Sequence, residues 1–266
     1  GAVWRRGSAA AFPGPAEKTM AQNIYDNPEF FAGYSRLPRQ VQGLDGAPEW
    51  PAIRALLPDV AGRRVADLGC GFGWSARWFR EAGAASVLGV DLSRNMIARA
   101  RADTADPGIE YRIADLETLA LPEAAFDLVY SALTFHYVRD FARLVRMVRA
   151  ALVPGGGLVF TIEHPIFMAA AHPKWLLDED GRKTWPVNGY SVEGERRTDW
   201  FARGVVKHHR TLASTVNALI GAGFALDRIE EFSPTPGQVA AMPELAEEME
   251  RPMMLLVSAV AAGDGV

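Results

Sequence analysis

The stretch Arg63–Arg101, RRVADLGCGFGWSARWFREAGAASVLGVDLSRNMIARAR, limits the possible folds more than any other part of the chain. It opens with a short apolar strand, Val65-Ala66-Asp67-Leu68, followed by the glycine-rich turn Gly69-Cys70-Gly71-Phe72-Gly73. An amphipathic helix carrying Trp74, Ala76, Trp78 and Phe79 comes next. A second apolar strand, Ser86-Val87-Leu88-Gly89-Val90, ends at Asp91. Such a strand-turn-helix-strand unit, with an acid at the tip of each strand, binds a nucleotide-like ligand at the strand ends.

The spacing of the glycines narrows the ligand. A dinucleotide fingerprint reads G-x-G-x-x-G and rests a pyrophosphate on the helix N-terminus. Here Gly69, Gly71 and Gly73 are spaced G-x-G-x-G, and Asp67 stands two residues before the first. A carboxylate there repels a pyrophosphate. It suits a ligand presenting an ammonium group, such as the amino acid end of S-adenosylmethionine. Asp91, 24 residues beyond Asp67, is placed to accept hydrogen bonds from both ribose hydroxyls.

Five segments in order resemble the motifs of the class I S-adenosylmethionine-dependent methyltransferases, most closely the type 11 methyltransferase group of bacterial small-molecule enzymes. They are Val65–Gly73, Gly89–Ser93, Tyr111–Leu116, Phe126–Ser131 and Leu152–Phe160. The resemblance is strong over residues 25–160 and looser beyond. It implies a doubly wound, mostly parallel seven-stranded α/β sheet of Rossmann-like form, closed by one antiparallel strand beside the fifth. It also implies that Asp115 sits near the adenine amino group and that the N-terminal segment lies over the cofactor. Tyr34 then becomes a candidate lid contact and Arg39 a candidate partner of the methionine carboxylate. Leu92, Met96, Leu116 and Ser131 complete the expected cofactor contacts with Gly69, Gly71, Gly73, Asp67 and Asp91. The family shares the cofactor rather than the acceptor.

The remaining properties bound the partners. The 266 residues carry a net charge of −4 with a pI near 5.8, which argues against a nucleic-acid partner. No apolar run is long enough to span a membrane as a helix. The single cysteine, Cys70, forms no intrachain disulfide and fits a reducing cytoplasm. The histidines and carboxylates lack HExxH or paired CxxC spacing, so no metal is expected. No G-x-S-x-G elbow is present.

Residues 1–19 are rich in Gly, Ala and Pro and read as a leader or expression remnant whose composition predicts disorder, with Met20 a plausible start. Residues 20–266 read as one methyltransferase domain. It divides into an N-terminal helical cover (20–60), a cofactor-binding core (61–162), an inserted lid segment (163–210) and the completion of the sheet (211–266). In the cover, helices are expected near Pro28–Ser35 and Pro48–Leu57. In the core, Ser93 caps a helix at Arg94–Ala102. Strands are expected at Ile109–Ile113 and Phe126–Ala132. A helix capped by Asp140 ends at Pro154-Gly155-Gly156-Gly157 before a strand at Leu158–Ile162. The insertion carries three of the seven tryptophans, which argues for order, with a hairpin near Gly189–His208. It reads as a substrate lid or as a packing layer or dimer contact. A helix at Thr211–Ala222, a strand at Ala225–Phe232, an acidic helix at Gln238–Glu250 and an apolar strand at Met253–Val260 finish the chain.

Methyl transfer from a sulfonium is an in-line displacement that needs alignment and exclusion of water. A base is needed only if the acceptor must lose a proton. His136 and His164, which follow the fourth and fifth strands, are the candidate catalytic residues, with Glu163, Tyr190, Asp199, His208 and His209 nearby in sequence. The reading is a methyltransferase acting on a small-molecule acceptor, with a homodimer possible. The alternatives are an inactive S-adenosylmethionine-binding module and an NAD-dependent oxidoreductase, the latter disfavoured by Asp67.

Overall fold

The computed structural model describes residues 21–263; the expectations for residues 1–19 and for Met20 fall outside them. The chain runs α1 (Pro28–Tyr34), α2 (Pro38–Val41), α3 (Trp50–Leu56), β1 (Arg64–Leu68), α4 (Trp74–Glu81), β2 (Ser86–Asp91), α5 (Arg94–Ala102) and β3 (Ile109–Ile113). It continues through β4 (Phe126–Ala132), α6 (Phe141–Ala151), β5 (Leu152–Glu163), α7 (Pro165–Ala169), β6 (Leu176–Leu177), β7 (Lys183–Thr184), β8 (Gly194–Trp200) and β9 (Ala202–His209). It ends with α8 (Leu212–Gly221), β10 (Phe224–Glu231), α9 (Pro236–Ala241), α10 (Glu247–Glu250) and β11 (Met254–Ala261).

The main sheet has the order β10-β11-β5-β4-β1-β2-β3. Strands β1 to β5 are parallel, and β11 runs antiparallel between β5 and β10. The alternation of strand side chains feeds two cores. Ala66, Leu68, Val90, Val129 and Phe160 pack with α6 and α8 on one face. Val65, Val87, Leu128, Tyr130 and Val159 pack with α3, α4 and α5 on the other. Both faces are therefore covered, as a parallel sheet requires. The order reverses between β1 and β4, which opens a crevice at their C-terminal ends.

Two boundaries differ from the sequence expectation. The fifth strand begins at Leu152, directly after α6, rather than at Leu158. Leu152 pairs with Phe126 and Gly157 with Leu128, so residues 153–156 bulge out of the ladder instead of ending the helix. The expected helix Gln238–Glu250 is broken into α9, a 3-10 turn at Pro243–Ala246 and α10. Pro243 has no N–H to continue α9.

Residues 163–210 are ordered by two separate anchorages. The β8–β9 hairpin packs Val205, Trp200 and Phe201 against Ile24 and Phe30 of the N-terminal segment. The earlier part closes on the C-terminal segment around Arg251. Its guanidinium lies 4.7 Å from the Phe167 ring, 5.5 Å from Trp175 and 4.4 Å from Trp185, and it donates to Glu248 at 3.2 Å. Trp175 Nε1 donates to Glu247 at 2.7 Å. Among the described residues no helix is long and apolar enough to cross a membrane.

Each buried cation–aromatic contact contributes up to about 2 kcal/mol. In Arg251→Leu, amide hydrogen exchange in residues 165–185 should accelerate roughly tenfold or more, while β1, β4 and β5 keep their protection. Unchanged exchange in that segment would show that Arg251 does not hold it.

Candidate functional site

A cavity of about 570 Å³ opens at the switch point, within the size range of small-ligand sites. Its floor is the turn after β1, the end of β2 at Asp91 and Leu92, and the end of β3 at Asp115 and Leu116. Tyr25, Tyr34 and Arg39 of the N-terminal segment and Trp200 and Lys207 of the hairpin close it from above, and Leu133, Thr134, His136, Tyr137, Val138 and Glu163 form the wall beyond β4.

The three glycines of the turn have positive φ, but for different neighbours. A Cβ on Gly69 (φ 86°) would collide with Thr134, and one on Gly73 (φ 76°) with the Tyr111 hydroxyl. These positions let the turn nest against the protein. Gly71 (φ 51°) has nothing within 4 Å of a hypothetical Cβ and lines the cavity, so its bare backbone is presented to a ligand. Gly73 does not line the cavity; it starts α4.

The acids around the turn are held by backbone donors. Asp91 Oδ2 accepts from Gly71 N at 3.0 Å and Oδ1 from Ser93 N at 2.9 Å. Burial nonetheless raises its pKa, more than these two hydrogen bonds lower it. Asp115 Oδ2 accepts from Ala21 N at 3.1 Å and Oδ1 from Glu117 N at 2.9 Å. Asp67 is 1% exposed. Its Oδ2 accepts from Ser75 Oγ at 2.5 Å, while Oδ1 is buried without a partner. Burial chiefly, against the Ser75 hydrogen bond and with help from Asp91, pushes its pKa up to about 7. An orphaned carboxylate oxygen beneath a wall of acids fits a ligand that brings a cation and hydroxyl donors, and S-adenosylmethionine carries both.

Most of the residues singled out in the sequence meet at this cavity. Tyr34, Arg39, Gly69, Gly71, Asp91, Leu92, Met96, Asp115, Leu116 and His136 line it. Asp67 stands behind Ser75, which does line it. Tyr34 is pushed up to about 12 by burial. Arg39 is held by Glu49 through a 2.8 Å contact and a second at 3.1 Å, so its charge is already matched within the protein.

Three of the expected residues lie away from the cavity lining. Ser131 is fully buried and donates to Leu68 O at 2.6 Å, tying β4 to β1 away from the cavity. Gly73 is turned into the protein as described. His164 is also outside the cavity: its Nε2 is 2.8 Å from Glu231 Oε1, and its Nδ1 accepts from Ile166 N at 3.0 Å as the cap of α7. Both of its ring nitrogens have structural work. His136 Nδ1 accepts from Glu163 N at 3.3 Å, which leaves the ring proton on Nε2. Burial first, then Lys207 and Arg210, keeps this imidazole well below its usual pKa and therefore neutral. It presents a donor rather than a base. Of the other residues considered, Asp199 lines the cavity, and His209 Nε2 contacts Tyr190 O at 2.8 Å within the hairpin region.

Sequence reasoning missed Lys207 and Glu49. Lys207 is 5% exposed and paired with Glu163. The alternation of β9, in which Val205, Lys207 and His209 are the buried positions, was the available signal. The cavity wall around this pair is aromatic, with Tyr25 Oη 3.2 Å from Tyr137 Oη. Cys70 is a buried thiol, raised well above its usual pKa by burial and then by Asp67 and Asp91, so it is not a thiolate nucleophile.

Two outcomes test this geometry. Gly71→Ala should fold with a modest loss of about 1 kcal/mol from its positive φ yet lose S-adenosylhomocysteine binding in calorimetry. Gly69→Ala should lose at least about 2 kcal/mol, since strain and overlap add. Equal binding by Gly71→Ala would remove the turn from the site. Asp67 binds more protons folded than unfolded between about pH 4 and its folded value of about 7. Ligand-free stability therefore falls as pH rises through that window, by an amount on the order of a few kcal/mol. Asp67→Asn should flatten that pH dependence in urea titrations, and a parallel profile would contradict the buried acid.

Comparison with known proteins agrees with this construction. A methyltransferase domain of type 11 matches residues 66–160. A solved S-adenosylmethionine-dependent methyltransferase from Mesorhizobium loti is 61% identical, covers 82% of this chain and all of its own, and superposes with a TM-score of 0.80. A putative S-adenosylmethionine-dependent methyltransferase from Listeria monocytogenes is 37% identical, with coverage of 80% of this chain and 98% of its own and a TM-score of 0.74. An uncharacterized protein of Haemophilus influenzae is 32% identical over 249 residues, covering 89% of this chain and 96% of its own. The chain belongs to the family of S-adenosylmethionine-dependent methyltransferases.

Proposed function

We propose that the protein transfers the methyl group of S-adenosylmethionine to a small-molecule acceptor held in the same cavity. The observation that supports this most is the division of one enclosed space. The turn after β1 offers bare backbone and the ends of β2 and β3 offer acids, while the end of β5 and the hairpin offer an aromatic wall with a buried ion pair. A volume of about 570 Å³ suits two small ligands side by side better than a polymer.

The bound cofactor supplies a methyl already activated on a sulfonium. The chain supplies the rest. Asp91 would accept the ribose hydroxyls, and Gly71 holds that carboxylate in place. Asp67 would balance the amino acid ammonium, and Arg39, whose charge Glu49 already matches, would offer a remaining N–H to the carboxylate beside it. Asp115 would accept from the adenine amino group. Met96 and Leu116 give the apolar walls of the base pocket. Tyr25, Tyr34, Tyr137 and Trp200 pack edge to face, with Tyr25–Tyr34 at 5.0 Å and Tyr34–Trp200 at 6.1 Å. They exclude water from the displacement, which otherwise competes with the acceptor. The segment 163–210 acts in this reading as the substrate lid.

S-adenosylmethionine and S-adenosylhomocysteine should raise the melting temperature in a dose-dependent way, by roughly 5–10 °C at a hundredfold excess over Kd. NADH should not. Asp91→Ala should abolish the shift. A shift with NADH alone, or an unaltered Asp91→Ala, would sink the assignment.

A further inference from the structure

We propose that the acceptor is a small carboxylic acid with an apolar body, anchored by Lys207 and methylated on a carboxylate oxygen. The inference rests on the methyltransferase reading and names its substrate class.

Lys207 is an almost fully buried ammonium facing the cavity. An ammonium has three N–H donors, and among the described residues Glu163 is its one acceptor. Its other neighbours are the ring faces of Trp200 at 5.4 Å and Tyr137 at 5.9 Å. A desolvated cation with donors to spare is a site for an anion. The same arrangement disfavours an amine acceptor. Aromatic rings beside a carboxylate suit an ammonium ligand, but here the tethered lysine already occupies that place and would repel a second cation.

Proton inventory leads to the same class. An amine or a hydroxyl must lose a proton to react, which calls for a base. Among the described residues, the candidate bases on the Lys207 side of the cavity are each engaged by a partner, and burial pushes the Tyr34 hydroxyl up to about 12, too high to serve as a base at neutral pH. His136 directs its Nδ1 to Glu163 N, Glu163 is paired with Lys207, and the Tyr25 and Tyr137 hydroxyls bond to each other. Asp199 Oδ1 accepts from Gly204 N at 3.0 Å. A carboxylic acid, with a pKa of about 4, arrives ionised at neutral pH and needs no base. In the step, a carboxylate oxygen forms the new O–CH3 bond and the S–CH3 bond breaks. The electron pair of the broken bond stays on sulfur, giving a neutral methyl ester and a neutral thioether with no proton to place. Opposite charges vanish in the step, and a dry cavity favours that. Val138, Phe167 and Pro173 line the wall beyond the pair and suit an aryl or alkyl body.

The test uses the full chain saturated with S-adenosylhomocysteine, titrated with phenylacetate and octanoate and with the matched amines, phenethylamine and octylamine, by thermal shift. The acids should raise the melting temperature further and the amines should not. Lys207→Met should weaken the acids roughly 10–100-fold while leaving the shift by S-adenosylhomocysteine itself unchanged, and Lys207→Arg should restore most of the acid binding. Lys207→Met/Glu163→Gln removes both charges, so a lost acid response there cannot come from an orphaned carboxylate. With labelled S-adenosylmethionine, the acids should yield a base-labile methyl ester, and Lys207→Met should raise KM for the acid more than it lowers kcat. Binding of the amines alone, no response to any acid, or equal acid binding in Lys207→Met would each overturn the proposal. If S-adenosylhomocysteine itself gives no shift in the unmodified chain, the methyltransferase reading fails, and this one with it.

Discussion

The hydrogen bond from Gly71 N to Asp91 Oδ2, 3.0 Å long, is the constraint on which the site depends. It bends the turn after β1 toward the end of β2 and orients a buried acid. Gly69 N and Cys70 N both donate to Val90 O, at 2.7 and 3.0 Å, so the turn is stitched to β2 at three points. Fixed this way, the turn takes positive φ at Gly69, Gly71 and Gly73, a conformation that glycine accepts without strain. Asp91, Asp67 and Gly71 thus form one unit. Burial raises both acids against too few donors, so the empty energy of the unit is unfavourable and a ligand that carries a cation relieves it.

The cover over this unit is fastened by the same kind of chemistry. Asp26, in the N-terminal segment, accepts from Ser93 Oγ at 2.5 Å, Asn95 N at 3.1 Å and Arg94 N at 3.2 Å. It caps the start of α5 from outside, where unpaired N–H groups and the helix dipole favour an anion. Ser93 caps α5 from within by accepting from Met96 N. One helix end therefore positions both the residue next to Asp91 and the segment that carries Tyr25 and Tyr34. The hairpin then lies on that segment through Phe30, whose ring meets Trp200 at 5.4 Å and Phe201 at 5.9 Å. Cover and hairpin are coupled, so motion of one exposes the cavity only if the aromatic cluster of the other loosens.

The central fold was legible because its signals are local. Apolar strands bounded by glycine, an aspartate before a helix and a serine before Arg94 act within a few residues, and the ends of β3, β4 and α5 fall where those residues place them. The antiparallel β11 beside β5 followed from the family resemblance rather than from periodicity. The start of β5 was obscured by Pro154 and three glycines, which signal a stop in isolation. The ladder tolerates them as a bulge because Leu152 and Gly157 both find partners on β4. Side-chain roles were less readable. His136 and His164 are equally placed after strand ends in sequence, yet one faces the cavity and the other caps α7 beside Glu231. Lys207 was not singled out, since its burial arises only when β9 brings it to Glu163, forty-four residues away in sequence.

The charge layout across the sheet follows from these placements. The acids lie at the ends of β1, β2 and β3, and Lys207 meets Glu163 at the end of β5, with β4 between. Strands sit about 5 Å apart, so the anionic wall and the buried ammonium face each other across the width of one small ligand. In the proposed reading, the acids hold the cationic cofactor on one side of the switch point, and the spare N–H donors of Lys207 hold an anionic acceptor on the other. Glu163 balances the charge of Lys207, which gives a physical reason for burying a pair rather than a lone lysine.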